Sequence, residues 1–135
     1  MAQLVPYLSF TGTCREAMTF YQQCLGGELS ITTYGDSPMA DQVPAEHRDN
    51  VLHAVLLSAE ILLMASDLMP GDTVTQGGSV TLALSSGDKE EIRAYFAKLS
   101  AGGTVTMPLD EAFFGLYGEA TDRFGMRWLF QAGQG

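Results

Sequence analysis

The chain is short of positive charge, of histidine and of cysteine. Seven Lys and Arg stand against 16 Asp and Glu, a formal net charge of −9. Such a surface repels phosphate backbones and anionic headgroups, so neither nucleic acid nor a membrane is expected as a partner. Solubility is the plain reading of the acidic excess. Only His47 and His53 offer imidazole. The two cysteines, Cys14 and Cys24, fall on one predicted helix. At about 1.5 Å per residue they lie about 15 Å apart along its axis, which excludes a disulfide between them. No apolar run reaches the length of a membrane-spanning helix. Met1–Pro6 lacks the basic-then-apolar pattern of a signal peptide, so a cytoplasmic location is expected.

What is present is a repeat. At a constant offset and without a gap, Leu4-Val5-Pro6-Tyr7-Leu8-Ser9 lies over Val80-Thr81-Leu82-Ala83-Leu84-Ser85. Met18-Thr19-Phe20 lies over Ala94-Tyr95-Phe96, and Gly26-Gly27 over Gly102-Gly103. Leu29 and Ile31 fall on Val105 and Met107. Each copy reads strand, helix, double glycine, strand. At 135 residues and 46% hydrophobic content the chain is long enough for one well-packed domain.

In the first copy, Leu4–Phe10 reads as a strand. Thr13-Cys14-Arg15-Glu16 has the form of a capping box, and Ala17, Phe20, Tyr21, Cys24 and Leu25 recur at helical spacing. Gly26-Gly27 stops that helix. Glu28–Tyr34 alternates as a strand does. Residues 35–50 form the longest irregular stretch, of the kind that is often functional or mobile. Val51–Ser58 and Ile61–Ser66 flank Ala59-Glu60 as a hairpin. In the second copy a strand is predicted at Ser79–Ser85 and a helix capped by Asp88 with Glu91. Strands then follow at Thr104–Met107, Ala112–Ala120 and Met126–Gln131, the last two joined by a turn at Asp122-Arg123-Phe124-Gly125. The fold class is α+β: two tandem βαβββ modules forming a curved mixed sheet with a cleft, helices on the outer face. The modules are placed at residues 1–68 and 78–132, with a linker at 69–77. A concave surface between such halves is a natural ligand site.

Four segments carry a resemblance over essentially the whole chain. They are Pro6-Tyr7-Leu8-Ser9-Phe10; Ala17 to Gly26, with Phe20-Tyr21; His53-Ala54 followed by Ser66-Asp67-Leu68-Met69-Pro70; and Phe114 to Trp128, closed by Asp122-Arg123-Phe124-Gly125-Met126-Arg127-Trp128. The last is the most specific. The chain resembles the vicinal oxygen chelate superfamily, which holds glyoxalase I, extradiol dioxygenases and the fosfomycin and bleomycin resistance proteins. It is most similar to the PhnB-like branch, often named 3-demethylubiquinone 3-methyltransferase-like. No glycine-rich loop of the kind that grips S-adenosylmethionine is legible.

The resemblance implies a divalent metal in the cleft of catalytic members, held by His, Glu or Gln and acting as a Lewis acid. Landmarks shared with the family place the ligand positions near Pro6, near Leu63 or Met64, near Ser79 and near Leu129. Neighbouring Tyr7, Ser9 or Thr81 does not complete the set. No cofactor is therefore expected, and no metal in the family's usual place. Candidate acids and bases are His53, Asp67, Glu119 and Asp122. His53 is a cleft residue, with Asp67 or Glu119 as partner, or else a hydrogen-bonded structural residue. Asp122 is expected to cap its turn, and Asp67 to act similarly. Glu119 and Tyr117 share one face of a strand, as ligand-binding or proton-moving groups or as a solvated edge. The ligand-binding cleft is expected to use Tyr7, Ser9, His53, Met64, Asp67, Phe114, Tyr117, Glu119 and Trp128, with His53 and Glu119 as the catalytic candidates. The resulting expectation is a metal-free small-molecule-binding protein, and the alternative a metal-dependent lyase, isomerase or dioxygenase. A homodimer is implied by the resemblance, with an interface at an apolar edge along Val51–Ser58 or at Met69–Thr75.

Overall fold

Strands of alternating burial and two amphipathic helices close into two four-stranded mixed sheets, each covered on one face by its own helix. The computed structural model describes residues 1–133. The chain divides into two units, Met1–Thr75 and a second from Gln76 onward. The first runs β1 (Tyr7–Phe10), α1 (Cys14–Leu25), β2 (Glu28–Thr33), β3 (Val51–Ser58) and β4 (Ile61–Asp67). The second runs β5 (Leu82–Ser86), α2 (Lys89–Ser100), β6 (Thr104–Ala112), β7 (Gly115–Thr121) and β8 (Arg127–Ala132). Sheet order is β1-β4-β3-β2 in the first unit and β5-β8-β7-β6 in the second. In each, the opening strand pairs in parallel with the closing one and the other pairings are antiparallel. The two βαβββ modules are thus present, with one sheet to each.

The opening strands are shorter than expected. β1 begins at Tyr7, because Pro6 has no N–H to donate and only its carbonyl joins the ladder, accepting from Met64. Leu4 stays fully exposed. β5 likewise begins at Leu82, leaving Val80 outside. β6 runs well past Met107, through register shifts on either side of that residue, the second of which contains Pro108, and Ala112 ends this strand instead of opening the next. Ala112 pairs with Gly115, so Phe113 and Phe114 form the hairpin turn. β3 is not an edge: β2 and β4 flank it on both sides.

In the first unit α1 buries Ala17, Met18 and Tyr21 completely, and the same core holds Ala54, Leu56, Leu63 and Ala65 of β3 and β4. In the second, Ile92 and Leu99 of α2 share the core with Leu116 and Phe130, and Phe96 meets Phe130 edge-on at 5.1 Å. Each large side chain so buried contributes about 1.5–3 kcal/mol. The double glycines do the same work in both copies. A Cβ on Gly27 would strike the Leu57 carbonyl of β3, and one on Gly103 the Thr121 carbonyl of β7. Only glycine lets the chain leave the helix that close to its own sheet.

Candidate functional site

Alternation along β1, β3 and β4 sends Leu8, Phe10, Ala54, Leu56, Leu63 and Ala65 to the helix side. It therefore turns Tyr7, Ser9, His53 and Met64 to the opposite face. The register sets Tyr7 beside Met64, Met64 beside Val55, and Ser9 beside Ser66. On that face the Tyr7 hydroxyl and His53 Nδ1 are 3.1 Å apart, and the rings stack with centroids 5.8 Å apart and planes 24° apart. With its hydrogen on Nε2, the imidazole accepts from the phenol at Nδ1 and offers Nε2–H to a ligand. His53 thus has Tyr7 as its partner, in place of the Asp67 or Glu119 expected. Four of the expected cleft residues come together here.

Asp67 belongs elsewhere. It is 2% exposed and ends β4 on the helix side. Its Oδ1 accepts from the amides of Gly12 at 2.7 Å and Cys14 at 3.0 Å, and its Oδ2 from Val51 N at 2.8 Å. Its carbonyl accepts from the Tyr34 hydroxyl at 2.8 Å. The carboxylate therefore holds the N-terminus of α1, where unpaired amides and the helix dipole favour negative charge. This overturns the capping box: Thr13 makes no side-chain capping bond, and the carboxylate that meets the start of α1 is Asp67, on the amides either side of Thr13. Burial, and then Asp67, push the Cys14 thiol up to about 12. Cys14 and Cys24 are both free and buried.

In the second unit, Tyr117 and Glu119 face away from α2, and the phenol donates to Glu119 Oε2 at 2.7 Å. That bond, with burial and the carboxylate charge, raises the Tyr117 pKa, so the group stays a neutral donor. Phe114 stands edge-on to Tyr117 at 5.5 Å. Trp128 is not on this face. It is 3% exposed, and its indole N–H donates to Asp122 Oδ2 at 2.8 Å. Asp122 Oδ1 accepts from Phe124 and Met126 amides, which makes it the turn cap expected of it. His47 lies in the loop after β2, with its Nδ1 3.5 Å from the Asn50 amide.

The residues at the family's metal positions do not fit a divalent metal. Leu63 is buried toward the helix, so Met64 is the β4 position facing away from it, and Tyr7 is its β1 neighbour. Pro6 and Ser79, where those positions were expected, precede β1 and β5, and in the second unit the strand residue paired with Leu129 is Ala83. A phenol, a thioether and two hydrocarbons are not a donor set for Zn, Ni, Fe or Mn. Among the described residues, no three His, Cys, Asp or Glu side chains are grouped to hold a metal ion.

Comparison with known proteins bears on the same architecture. Protein YjdN of Escherichia coli (strain K12) is 35% identical over 136 residues, covering 93% of this chain and 92% of that protein. The crystal structure of protein PA1353 from Pseudomonas aeruginosa is 39% identical, with a TM-score of 0.88 over 100% of both chains. A Bacillus cereus PhnB protein shares the fold at 24% identity, with a TM-score of 0.78 over 98% of this chain and 100% of that one. The family model for the Glyoxalase/Bleomycin resistance protein/Dioxygenase superfamily matches residues 3–130, and the chain belongs to that superfamily.

Proposed function

We propose that this chain is a PhnB-like small-molecule-binding protein that holds its ligand on the sheet faces turned away from the helices, without the family's metal. One observation carries the reading. Where the family places its metal ligands, the strands present Met64, Ala83 and Leu129 with Tyr7 the only oxygen donor, while polar pairs suited to gripping a ligand stand close by. The same reading takes the protein as a homodimer, with its interface at Met69–Thr75, since β3 is no free edge. The test is metal content by mass spectrometry after incubation with Zn, Ni, Mn and Fe(II), followed by a thermal-shift ligand screen. Retention below a tenth of an equivalent, with at least one ligand raising the melting temperature, is the expected result. Near-stoichiometric retention of one metal would sink it.

A second reading rests on the two proton-competent pairs, Tyr7–His53 and Tyr117–Glu119. A lyase or isomerase could use either for acid–base work. It requires turnover that His53→Gln or Glu119→Gln removes while ligand binding persists. Stoichiometric binding with no turnover in the wild type counts against it.

A further inference from the structure

The β6–β7 hairpin carries a hollow of about 470 Å3, within the range that holds a small organic ligand. Its construction is specific. Between Met107, paired with Glu119, and Asp110, paired with Tyr117, β6 has two residues where β7 has only Gly118. The extra length bulges over Gly118, where a Cβ would come within 2.8 Å of the Leu109 Cα. The bulge raises Met107 and Pro108 into one wall, and the turn supplies the Phe114 ring against Tyr117. Asp110 and Glu111 complete the rim. Glu111 is engaged by Lys89 at 3.0 Å and Arg93 at 3.6 Å. Asp110 has no basic partner among the described residues, and its Oδ1 accepts only from the next amide.

We infer that this hollow binds an organic cation, an ammonium or amidinium carried on an apolar body. The inference rests on the small-molecule reading above and names the ligand class for the second unit. Two ring systems meeting at right angles present a π-face and a neutral phenol, and a cation over such a face is attracted by the ring quadrupole. The uncompensated Asp110 carboxylate lies on the same rim. The apolar wall of Met107 and Pro108 suits the hydrocarbon part. A carboxylate or phosphate ligand would meet the Asp110 carboxylate, while Lys89 and Arg93 are already engaged by Glu111.

The experiment compares two dyes of one xanthene frame and opposite charge, rhodamine 123 and fluorescein methyl ester, by fluorescence anisotropy. It uses the full chain at about 150 mM salt, so that distant surface charge is screened. The cation is expected to bind at least about ten-fold tighter than the anion. Asp110→Asn and Phe114→Leu are each expected to weaken the cation by about five-fold, the scale of one screened charge or one cation–π contact. Circular dichroism and melting confirm that both variants remain folded. Equal or tighter binding of the anion, sensitive to Phe114→Leu, would overturn the cation preference and leave the binding-protein reading standing. Cation binding indifferent to both variants would overturn the site. Failure of both dyes at millimolar protein would overturn the inference, while the thermal-shift screen separately decides whether the chain binds small molecules at all.

Discussion

Asp67 shows how much one carboxylate can do at the end of a strand. Three backbone amides from three segments converge on it, and its burial leaves no water to replace them. Charged hydrogen bonds of this kind are worth about 1.5–3 kcal/mol each, and a buried amide left without an acceptor costs a comparable amount. Asp67→Asn keeps the shape but turns an NH2 toward donors. We expect it to lower stability by about 3 kcal/mol, read from the urea midpoint, without changing metal content. A loss under about 0.5 kcal/mol would refute the role. Tyr7→Phe makes the opposite case: the phenol is half exposed, so stability should move by less than about 0.5 kcal/mol. Affinity for a ligand held against the Tyr7–His53 pair should fall. The sequence makes the Tyr117–Glu119 pair legible, because two residues apart on a strand means one face. It hides Tyr7–His53 and Asp67–Cys14, because those partners are 46 and 53 residues apart and nothing local announces them. Asp67 and Trp128 read as cleft residues for a different reason. Their residue types suit a site, but strand phase decides the face, and both fall on the helix side.

At the scale of elements, the two helices begin by different means although their sequences are homologous in pattern. α2 follows the local rule: Asp88 accepts from the Glu90 and Glu91 amides at 3.0 and 3.4 Å. α1 depends on a residue from β4. Asp88→Ala should therefore cost about 1 kcal/mol, and Thr13→Ala only a few tenths, in paired urea titrations. Equal losses would show that Thr13 caps after all. Helices, glycine stops and the β3–β4 hairpin were legible because each has a period or a turn signal of short range. The bulged β6 was not, since Pro108 reads as a break until the register is known. The long loop was not either. It folds into two short 3-10 turns, Ala40–Gln42 and Ala45–His47, around Arg48, whose Nε donates to the carbonyls of Ala40 and Val43. The bulge gives a further test. Gly118→Ala must displace the β6 backbone, and we expect a loss of about 1–3 kcal/mol together with the loss of dye binding at the hairpin.

At the scale of the whole molecule, the two modules share a strand order but carry different titrating groups. Cys14 in the first is held protonated by burial and by Asp67. Tyr34 is raised by burial and again by Asp67, Tyr95 by burial and Glu91, and Tyr117 chiefly by its bond to Glu119. All four shifts are upward, so the folded chain holds these protons more tightly than the unfolded chain does. Stability from such groups is complete below the unfolded pKa and is lost as pH rises through the folded one. Cys14 opens that window at 9.0 and closes it at about 12, and the tyrosines join from 10.0 upward. Cys14 contributes up to about 1.4 kcal/mol of loss per pH unit inside its window, and the tyrosines, more open to solvent, add smaller losses. Urea midpoints measured from pH 8 upward should hold level to about 9 and then fall, more steeply once the tyrosines join. Cys14→Ala carries no thiol, so its curve should stay level up to about pH 10, whatever fixed penalty the smaller side chain adds. Parallel curves for variant and wild type would show that Cys14 titrates alike in both states, and that the carboxylate at the head of α1 does not reach it.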